Sequence, residues 1–488
     1  MSSKLKVLSN VFINMGGNKL KLVDFFFDEK IIQIIPKMTT SVLWDEISTP
    51  QRKEAFINGL GLKKQMQSPS MIDGGYMLAM PGAVDSHVHF NTPGFEHRDD
   101  FEHGSLAAAF GGTTMVIDMP CTSTPPITNS ESFSIKQNAL QGRSFVDYAL
   151  WGGINGNDFD GQKNVEKQIY ELAKSGVAGF KAYLTSGMDT FKELTKIQMQ
   201  VAASWIVETK KILAVHAEDK ELIYGRMESF RREGKNDWKA YCSARDEAAE
   251  AQAVKNMIDV ARKNNCKILI VHLSSKLGLN LVKKAREAGL NVSAETCPHY
   301  LYFTQKDFED ESISNFLKTS PPIKTELDKE ALWEGLKDGT ISFVNSDHAC
   351  CNPAVEKTHN NFWEVYSGIP GVEHRVPFLF SEGFLKRRLS LEQTINLLSV
   401  NAIQYFGIKN KGKLELGYDA DIALIDLWNG EKITSENMHT KFKFTPFQGK
   451  TFNAIVEKTF LRGKIIADRK NDPEVTAGYG NFINIFGV

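Results

Sequence analysis

The chain has 488 residues, 42% of them hydrophobic and 24% charged, and its 58 Lys and Arg nearly balance its 59 Asp and Glu. A formal net charge of -1 offers no basic surface for a nucleic-acid backbone. No apolar run reaches the ~20 residues that cross a bilayer, and the first residues lack the apolar core of a secretory signal. The sequence therefore predicts a cytoplasmic globular protein that binds neither nucleic acid nor membranes.

The middle of the chain alternates short apolar runs with longer amphipathic stretches. This alternation is typical of strands and helices around a parallel sheet. Eight strands are predicted, so the expected fold is α/β, with a (β/α)8 or TIM barrel. They cover residues 77–87, 113–119, 145–151, 177–184, 212–217, 267–273, 290–296 and 341–347.

Helices are expected between these strands. One begins at Ser243 and ends at Asn265, and two others end at Gly289 and Gly339, where a left-handed residue suits a helix terminus. A further helix is expected over residues 52–65, ahead of the barrel.

Short β-type runs occur at both ends of the chain and predict one small β-sandwich domain assembled from the two termini. The runs cover residues 6–13, 19–27, 30–36, 421–427 and 453–466. The expected division is therefore a sandwich part at 1–76, a metal-dependent barrel at 77–410 and the rest of the sandwich at 411–488.

Several predicted strands end in residues that can bind a metal. His87 and His89 lie one residue apart in extended chain, so their side chains share a face and can bind one cation. Three later strands end in His216, His272 and Asp347. Because a barrel gathers the carboxyl ends of its strands, these five residues predict one metal site.

Lys181 lies inside the apolar run VAGFKAYL of the fourth predicted strand. Lysine is rarely buried without a partner, and a salt-bridged structural lysine is one interpretation. Beside a histidine-rich site, burial can also lower the pKa of the amine and allow carbon dioxide to carboxylate it. The resulting carbamate could bridge two metal ions, with the H-x-H pair and Asp347 on one and the two later histidines on the other.

The motifs of the barrel resemble those of the cyclic amidohydrolases of the amidohydrolase superfamily. In order they are PGAVDSHVHFNTPG, GGTTMVIDMP, GFKAYL, VHAE, IVHLSS, AETCPHY, SPPI, LWEGL and SDH, followed by KGKLELGYDADIALID and TFLRGKII near the C-terminus. The resemblance implies the same six ligands, with two divalent metal ions, expected to be zinc, bridged by carboxylated Lys181. It also implies a homo-oligomer, a tetramer by analogy with the family.

The resemblance further implies a reaction. A hydroxide that bridges the metals would attack a ring amide carbonyl polarised by one of them. Asp347 would take the hydroxide proton and pass it to the departing ring nitrogen. Ser320 and the backbone at Gly368 would lie beside the substrate amide, although Ser320 also fits a turn residue before two prolines.

The substrate is predicted from the residues that stand where relatives bind theirs. Dihydroorotases hold a substrate carboxylate with an arginine and an asparagine, and Asn91 and Cys121 stand at those positions here. Loss of the guanidinium disfavours dihydroorotate unless another cation, such as Arg98, replaces it. Asn91 is then expected to contact a different substrate.

The HFNTPG, IDMP, PPIT, WGG and ETCPHY segments resemble those of allantoinases, whereas YSGIPGVEHRVP is closer to dihydroorotases or hydantoinases. The expected reaction is hydrolysis of a cyclic amide C–N bond in a small ureide ring, most simply allantoin to allantoate in purine catabolism. Hydantoinase or dihydropyrimidinase activity, and dihydroorotase activity, are the alternatives.

Two other classes of protein share the barrel but would lack part of this metal site. A non-catalytic dihydropyrimidinase-like interaction protein would lack metal residues, and a mononuclear deaminase would lack the bridging lysine, but all six residues are present. The six cysteines show no C-x-x-C pair, so neither a disulfide framework nor a cysteine metal site is expected. Cys350 and Cys351 are expected to pack near the pocket rim, and no cysteine is expected to take part in the chemistry.

Overall fold

A computed structural model describes residues 5–62 and 70–486. Most strands belong either to a parallel barrel or to a mixed sheet beside it. The strands β1 to β19 are Lys6–Asn14, Lys19–Phe27, Ile31–Pro36, Val42–Leu43, Met71–Pro81, Ala83–Val88, Thr113–Asp118, Asp147–Leu150, Gly152–Gly153, Phe180–Tyr183, Leu213–His216, Ile268–Ile270, Val292–Thr296, Phe343–Val344, Ile422–Asp426, Glu431–Lys432, Thr451–Phe452, Ile455–Leu461 and Lys464–Asp468.

Helices cover the outside of the barrel and connect its strands. The helices α1 to α17 are Trp44–Ile47, Pro50–Gly59, Phe101–Phe110, Ser130–Leu140, Gly156–Asp160, Val165–Lys174, Lys196–Glu208, Lys220–Arg232, Trp238–Ala244, Glu247–Asn264, Lys276–Glu287, Pro298–Tyr302, Glu326–Lys337, Pro353–Glu356, Arg375–Phe378, Leu391–Ile395 and Asn401–Phe406. Short 3-10 turns cover Gln305–Glu309, Ser314–Leu317 and Ser435–Asn437, and π-helical turns cover Leu379–Leu385 and Asn396–Val400.

The barrel consists of parallel strands in the order predicted from the sequence. Strands β6, β7 and β8 form one run, and β9 to β14 form the other. The runs join where the Ala178 N–H donates to the Leu150 carbonyl at 2.9 Å, and the ring closes where Val88 pairs in parallel with His348. Since β9 continues β8 after one residue, the eight predicted strands close the expected (β/α)8 barrel, which is confirmed.

The β domain is built from both ends of the chain, as predicted. Its sheet runs in the order β19, β18, β15, β5, β1, β2 and β3, with β4 also paired to β2. Side chains alternate along β2: Phe25 and Phe27 join one buried cluster, whereas Leu20 and Leu22 join the large cluster shared with the barrel. One face of the sheet therefore packs on its own core and the other helps to anchor the barrel.

The first predicted barrel strand, 77–87, is two strands in the structure. Its first half belongs to β5, which pairs with β1 and β15 in the β domain, and the barrel begins only at β6. Gly82 lies between the two strands. Only glycine fits there, because a Cβ would come within 2.2 Å of Thr114 Oγ1. The apolar run is continuous through this junction, so hydrophobicity alone could not reveal it. The division at 76/77 and 410/411 stays a prediction, and the strand bounds favour Gly82 as the first junction.

The helix predicted from Ser243 to Asn265 is also interrupted. The chain forms α9 and α10, with Arg245 between them, and Asp246 accepts the Ala249 N–H at 3.0 Å to begin α10. Asn265, with φ +54°, ends α10 as predicted. The helix expected over 52–65 is α2, which ends at Gly59. Residues 63–65 of that expectation lie outside the described residues.

The end of the chain leaves the β domain and packs on the barrel. Residues Asn481 and Ile483 hydrogen-bond on both sides of Tyr148 in β8, at 2.9 and 2.7 Å.

Among the helices of the described ranges, none is long and apolar enough to cross a membrane.

Candidate active site

The carboxyl ends of the barrel strands carry the predicted ligands. His216 is the last residue of β11, whereas His272 and Asp347 follow the ends of β12 and β14. Both of these later residues have positive φ, +41° at His272 and +48° at Asp347. Residues other than glycine rarely adopt this backbone conformation, and such strain persists only where the surrounding structure holds it. The backbone therefore turns these two side chains toward the barrel axis at a cost in conformational energy.

His87, His89 and Asp347 form one group of ligand atoms. The Nε2 atoms of the two histidines lie 3.1 and 3.2 Å from Asp347 Oδ1, and the ligand atoms of the three residues lie within 4.8 Å of one another. Burial opposes ionisation of Asp347, but the neighbouring histidines hold the pKa of its carboxyl well below the ordinary value. Two imidazole nitrogens and a carboxylate oxygen that converge in this way can hold a divalent cation.

His216 and His272 form a second group. His216 Nδ1 lies 3.0 Å from His272 Nε2, and His216 Nε2 lies 2.8 Å from Glu218 Oε2. Since the Glu218 carboxylate accepts, Nε2 of His216 carries the proton and its Nδ1 keeps the lone pair. Burial lowers the pKa of His272 well below its ordinary value, so this ring is neutral. A cation shared by the two facing nitrogens would satisfy both.

Lys181 is fully buried in β10, next to these groups. Its Nζ has no hydrogen-bond partner among the described residues and lies 4.9 Å from the centre of the Tyr183 ring. Burial lowers the pKa of Lys181 to about 8. An unpartnered buried amine is costly, and a further group on that nitrogen would relieve the cost. The environment thus fits the carboxylation that the sequence suggested.

Two buried glutamates behind the histidines were missed by the sequence analysis. Glu295, at the carboxyl-terminal part of β13, hydrogen-bonds His87 Nδ1 and the side chain of Asn345. Glu218 pairs with Arg245, whose Nε lies 3.1 Å from Glu218 Oε1. Carboxylates of this kind fix the tautomer and orientation of ligand histidines. The only signal in the sequence was their place in the AETCPHY and VHAE motifs.

A cavity of about 650 Å³ opens above these residues. The predicted substrate contacts Ser320 and Gly368 both line it, and a Cβ at Gly368 would lie 2.5 Å from the Ala349 carbonyl, so only glycine fits there. Asn91 is fully buried and does not line the cavity. The cavity is lined at its base by His87, His89, His216, His272 and Asp347, and higher up by residues that include Arg98, Cys121, Tyr183, Tyr241, Arg245, Lys318, Trp363 and Tyr366.

One cysteine lies closer to the site than expected. Cys121 lines the cavity, with its Sγ 3.1 Å from Tyr183 Oη and 3.7 Å from His89 Nδ1. The loop after β7 brings Cys121 beside the H-x-H pair, and the expectation that no cysteine takes part in the chemistry stays a prediction. Cys350 and Cys351 are buried against Phe444, as expected for residues that pack behind the rim.

A barrel whose strand ends converge on histidines, a carboxylate and a buried lysine has the site of a metal-dependent hydrolase. The model of the Amidohydrolase family matches residues 78–466, and the chain belongs to that family. It is 34% identical to an allantoinase of Rubrobacter xylanophilus, over 85% of this chain and 89% of that protein. It is 33% identical to an allantoinase of Deinococcus radiodurans, over 86% of this chain and 88% of that one.

Solved structures have the same fold. An L-hydantoinase (dihydropyrimidinase) from Arthrobacter aurescens superposes with a TM-score of 0.86 at 26% identity, covering 99% of this chain and 100% of its own. A dihydropyrimidinase from Brevibacillus agri superposes with a TM-score of 0.84 at 24% identity, covering 99% of both chains. The family predicted from the motifs is confirmed, and the chain is a hydrolase that acts on cyclic amide C–N bonds.

Proposed function

We propose that this protein opens the ring of a small cyclic ureide and that allantoin, hydrolysed to allantoate, is its substrate. The observation that carries the reaction type is the convergence of four histidines, Asp347 and Lys181 beneath a cavity of about 650 Å³. The choice of allantoin rests on the allantoinases that are 33–34% identical over most of the chain.

The residues present fit two divalent cations. His87, His89 and Asp347 would hold one, His216 and His272 the other, and carboxylated Lys181 would lie between them. Nitrogen and oxygen donors of this kind suit zinc. When bound, such a pair supplies a Lewis acid for the ring carbonyl and lowers the pKa of water, so that hydroxide forms at neutral pH.

The protein's own groups would then move the proton. Asp347 is ionised because its pKa is held far below the ordinary value, and its side chain faces the cavity. As an ionised carboxylate that lines the cavity it would accept a proton from the attacking water, and its low proton affinity would favour passing that proton on to the departing ring nitrogen. Ser320 and the backbone of Gly368 would bind the ring amide. Asn91 would reach the substrate only if its buried segment moved.

Two alternatives remain within the family. Hydantoinase or dihydropyrimidinase activity is one, because an L-hydantoinase (dihydropyrimidinase) shares the fold at 26% identity. Dihydroorotate needs a cation for its carboxylate, but Arg98 already pairs with Glu356 at 2.6 Å. A purely non-catalytic interaction protein is disfavoured because all six predicted ligand residues are present and five of them line one cavity.

The test is turnover of allantoin, hydantoin, dihydrouracil and dihydroorotate by the purified protein, together with metal analysis. We expect about two metal ions per chain and the highest kcat/KM on allantoin. Turnover of dihydroorotate alone would contradict the choice of substrate. Absence of both metal and turnover would instead support the interaction protein.

We also propose that the protein is cytoplasmic and forms a homo-oligomer, a tetramer by analogy with its family. Light scattering coupled to size-exclusion chromatography tests the assembly, and a mass of one chain would contradict it.

A further inference from the structure

We infer that Tyr241 sets the direction of the hydrogen bonds at Ser320, so that this serine offers a lone pair to the cavity and selects a substrate with a ring N–H. The inference rests on the proposed function, because it concerns the ring that the cavity binds. Tyr241 is thus a positioning residue that acts through Ser320.

The Tyr241 phenol has a single proton to donate. Tyr241 lies on α9, buried, and its Oη is 2.9 Å from the Thr319 carbonyl and 2.7 Å from Ser320 Oγ. A carbonyl oxygen can only accept, so the phenol proton is donated to Thr319. Burial raises the pKa of Tyr241, so the phenol keeps that proton at neutral pH.

The hydroxyl proton of Ser320 then also takes part in a hydrogen bond within the protein. A contact of 2.7 Å between two hydroxyl oxygens requires a proton between them, and Tyr241 has none left to give. Ser320 therefore donates to Tyr241 Oη, while Ser367 Oγ lies further away at 3.3 Å. A hydroxyl has one donor and two lone pairs, so what Ser320 still offers to a ligand is an acceptor.

The neighbouring backbone has the same polarity. The Gly368 N–H donates to the Lys318 carbonyl at 3.0 Å, so its remaining polar group is its carbonyl oxygen. The Ser320 hydroxyl and the Gly368 carbonyl are therefore both acceptors, and they belong to the wall formed by residues 318–320 and 362–368, called the loop wall below. Cyclic ureides carry two ring N–H groups. One belongs to the bond that is cleaved and must face Asp347, which leaves the other for Ser320.

The phenol is held firmly enough to impose this direction. The Lys318 ammonium donates to the carbonyls of Phe362 and Trp363 at 2.7 and 3.0 Å and lies 4.8 Å from the centre of the Tyr241 ring. The Phe362 ring packs edge-on against the same phenol, with centroids 5.4 Å apart. Packing therefore restricts reorientation of Tyr241.

The experiment compares two rings of one shape. Hydantoin has a second ring N–H, whereas oxazolidine-2,4-dione has an oxygen in its place. The affinities of both rings for the metal-loaded protein are measured by calorimetry, or by competition with allantoin for a ring that is turned over. The measurements are made over a pH series and referred to the neutral form of each ring, because the N–H of oxazolidine-2,4-dione is the more acidic. We expect the natural protein to prefer hydantoin by ~10-fold or more, since an unmatched buried acceptor costs about 1 to 3 kcal/mol.

Tyr241→Phe frees the Ser320 proton, so oxazolidine-2,4-dione should bind more tightly and the preference should fall ~10-fold. Ser320→Ala should reduce the preference through weaker binding of hydantoin alone, and the double variant should be non-additive. Tyr300→Phe is the matched control, because Tyr300 donates to the Pro321 carbonyl at 2.7 Å, next to Ser320 in the chain, but lies outside the cavity lining.

An unchanged preference in Tyr241→Phe, or additive effects, would overturn the inference. So would failure of the natural protein to bind hydantoin more tightly than its isostere. These outcomes differ from failure of the proposed function, which would appear as binding of the rings without turnover of any member of the substrate panel.

Discussion

The two walls of the cavity are built in different ways. The strand-end wall carries the histidines, Asp347 and Lys181, and its supports are buried charges such as Glu295 and the Glu218–Arg245 pair. The loop wall is held by hydrogen bonds to backbone carbonyls, made by Lys318 and Tyr241. The barrel thus keeps reactive groups on rigid strands and leaves recognition of the ring to loops.

This difference means that the two walls should fail differently when they are damaged. Loss of a group from the strand-end wall should remove metal and turnover together. Loss of a group from the loop wall should leave metal in place and weaken binding of the ring. Metal content, kcat and KM therefore separate the two walls.

The largest effect is expected for Lys181→Ala in the strand-end wall. Without the amine no carbamate can form, so bound metal should be lost and kcat should fall by at least ~1000-fold. Metal analysis and steady-state kinetics measure both, and circular dichroism checks that the variant folds. Retention of both metal ions with full activity would rule out the bridging role.

A smaller loss is expected for Glu295→Gln. The amide can no longer accept the His87 N–H as a carboxylate does, so metal affinity should fall by roughly 10- to 100-fold. Competition with a chelator measures it. Asp328→Asn is a suitable control, because Asp328 is buried and caps helices, bonding Thr325 and the Lys276 N–H away from the ligands. Equal losses in both variants would point to general destabilisation instead.

Lys318→Met tests the loop wall. The substitution removes the Lys318 amine, which donates from residues 318–320 to the carbonyls of 362–368. KM should therefore rise by about 10-fold, while metal content stays the same and kcat changes only a few-fold. Kinetics and metal analysis on one preparation measure all three. Loss of metal in this variant would contradict the expectation that the two walls act independently.

The last prediction concerns the stability of the fold and its dependence on pH. Burial lowers the pKa of Lys318 to about 7, below the ordinary 10.5, so between these values the unfolded chain binds a proton that the folded protein does not. The stability of the natural protein should therefore rise with pH from 7 to 10 relative to Lys318→Met, by about 1 kcal/mol per pH unit at most. Urea denaturation at pH 7, 8 and 9 measures the difference. A constant or falling difference would contradict the burial of this amine.

Much of the strand-end wall could be predicted, because its information is local. A ligand residue directly after an apolar run predicts its own place at the rim of a barrel, and the i, i+2 spacing of His87 and His89 predicts a shared face. Even so, the strand predicted before His87 is longer than the barrel strand in the structure, since an apolar run passes through the junction at Gly82. Local hydrophobicity does not record which sheet a strand joins.

The loop wall could not be predicted in the same way. Tyr241, Lys318 and Ser320 are brought together by hydrogen bonds that link α9 to a segment about 80 residues later, and no periodicity marks such a pairing. Arg245 is also placed by a distant contact. It falls inside a strong helical pattern, but in the structure it lies between α9 and α10 and pairs with Glu218.

By itself, then, the sequence determined the barrel and the two-ended β domain, and it predicted which six residues could bind metal. These follow from hydrophobic periodicity and from which residues end each strand, and both are properties of neighbours in the chain. Only the tertiary structure decided that Asn91 is buried, that Cys121 reaches His89 and that Ser320 hydrogen-bonds Tyr241. Those outcomes depend on contacts between distant segments, where close packing and the direction of each hydrogen bond determine what a side chain offers.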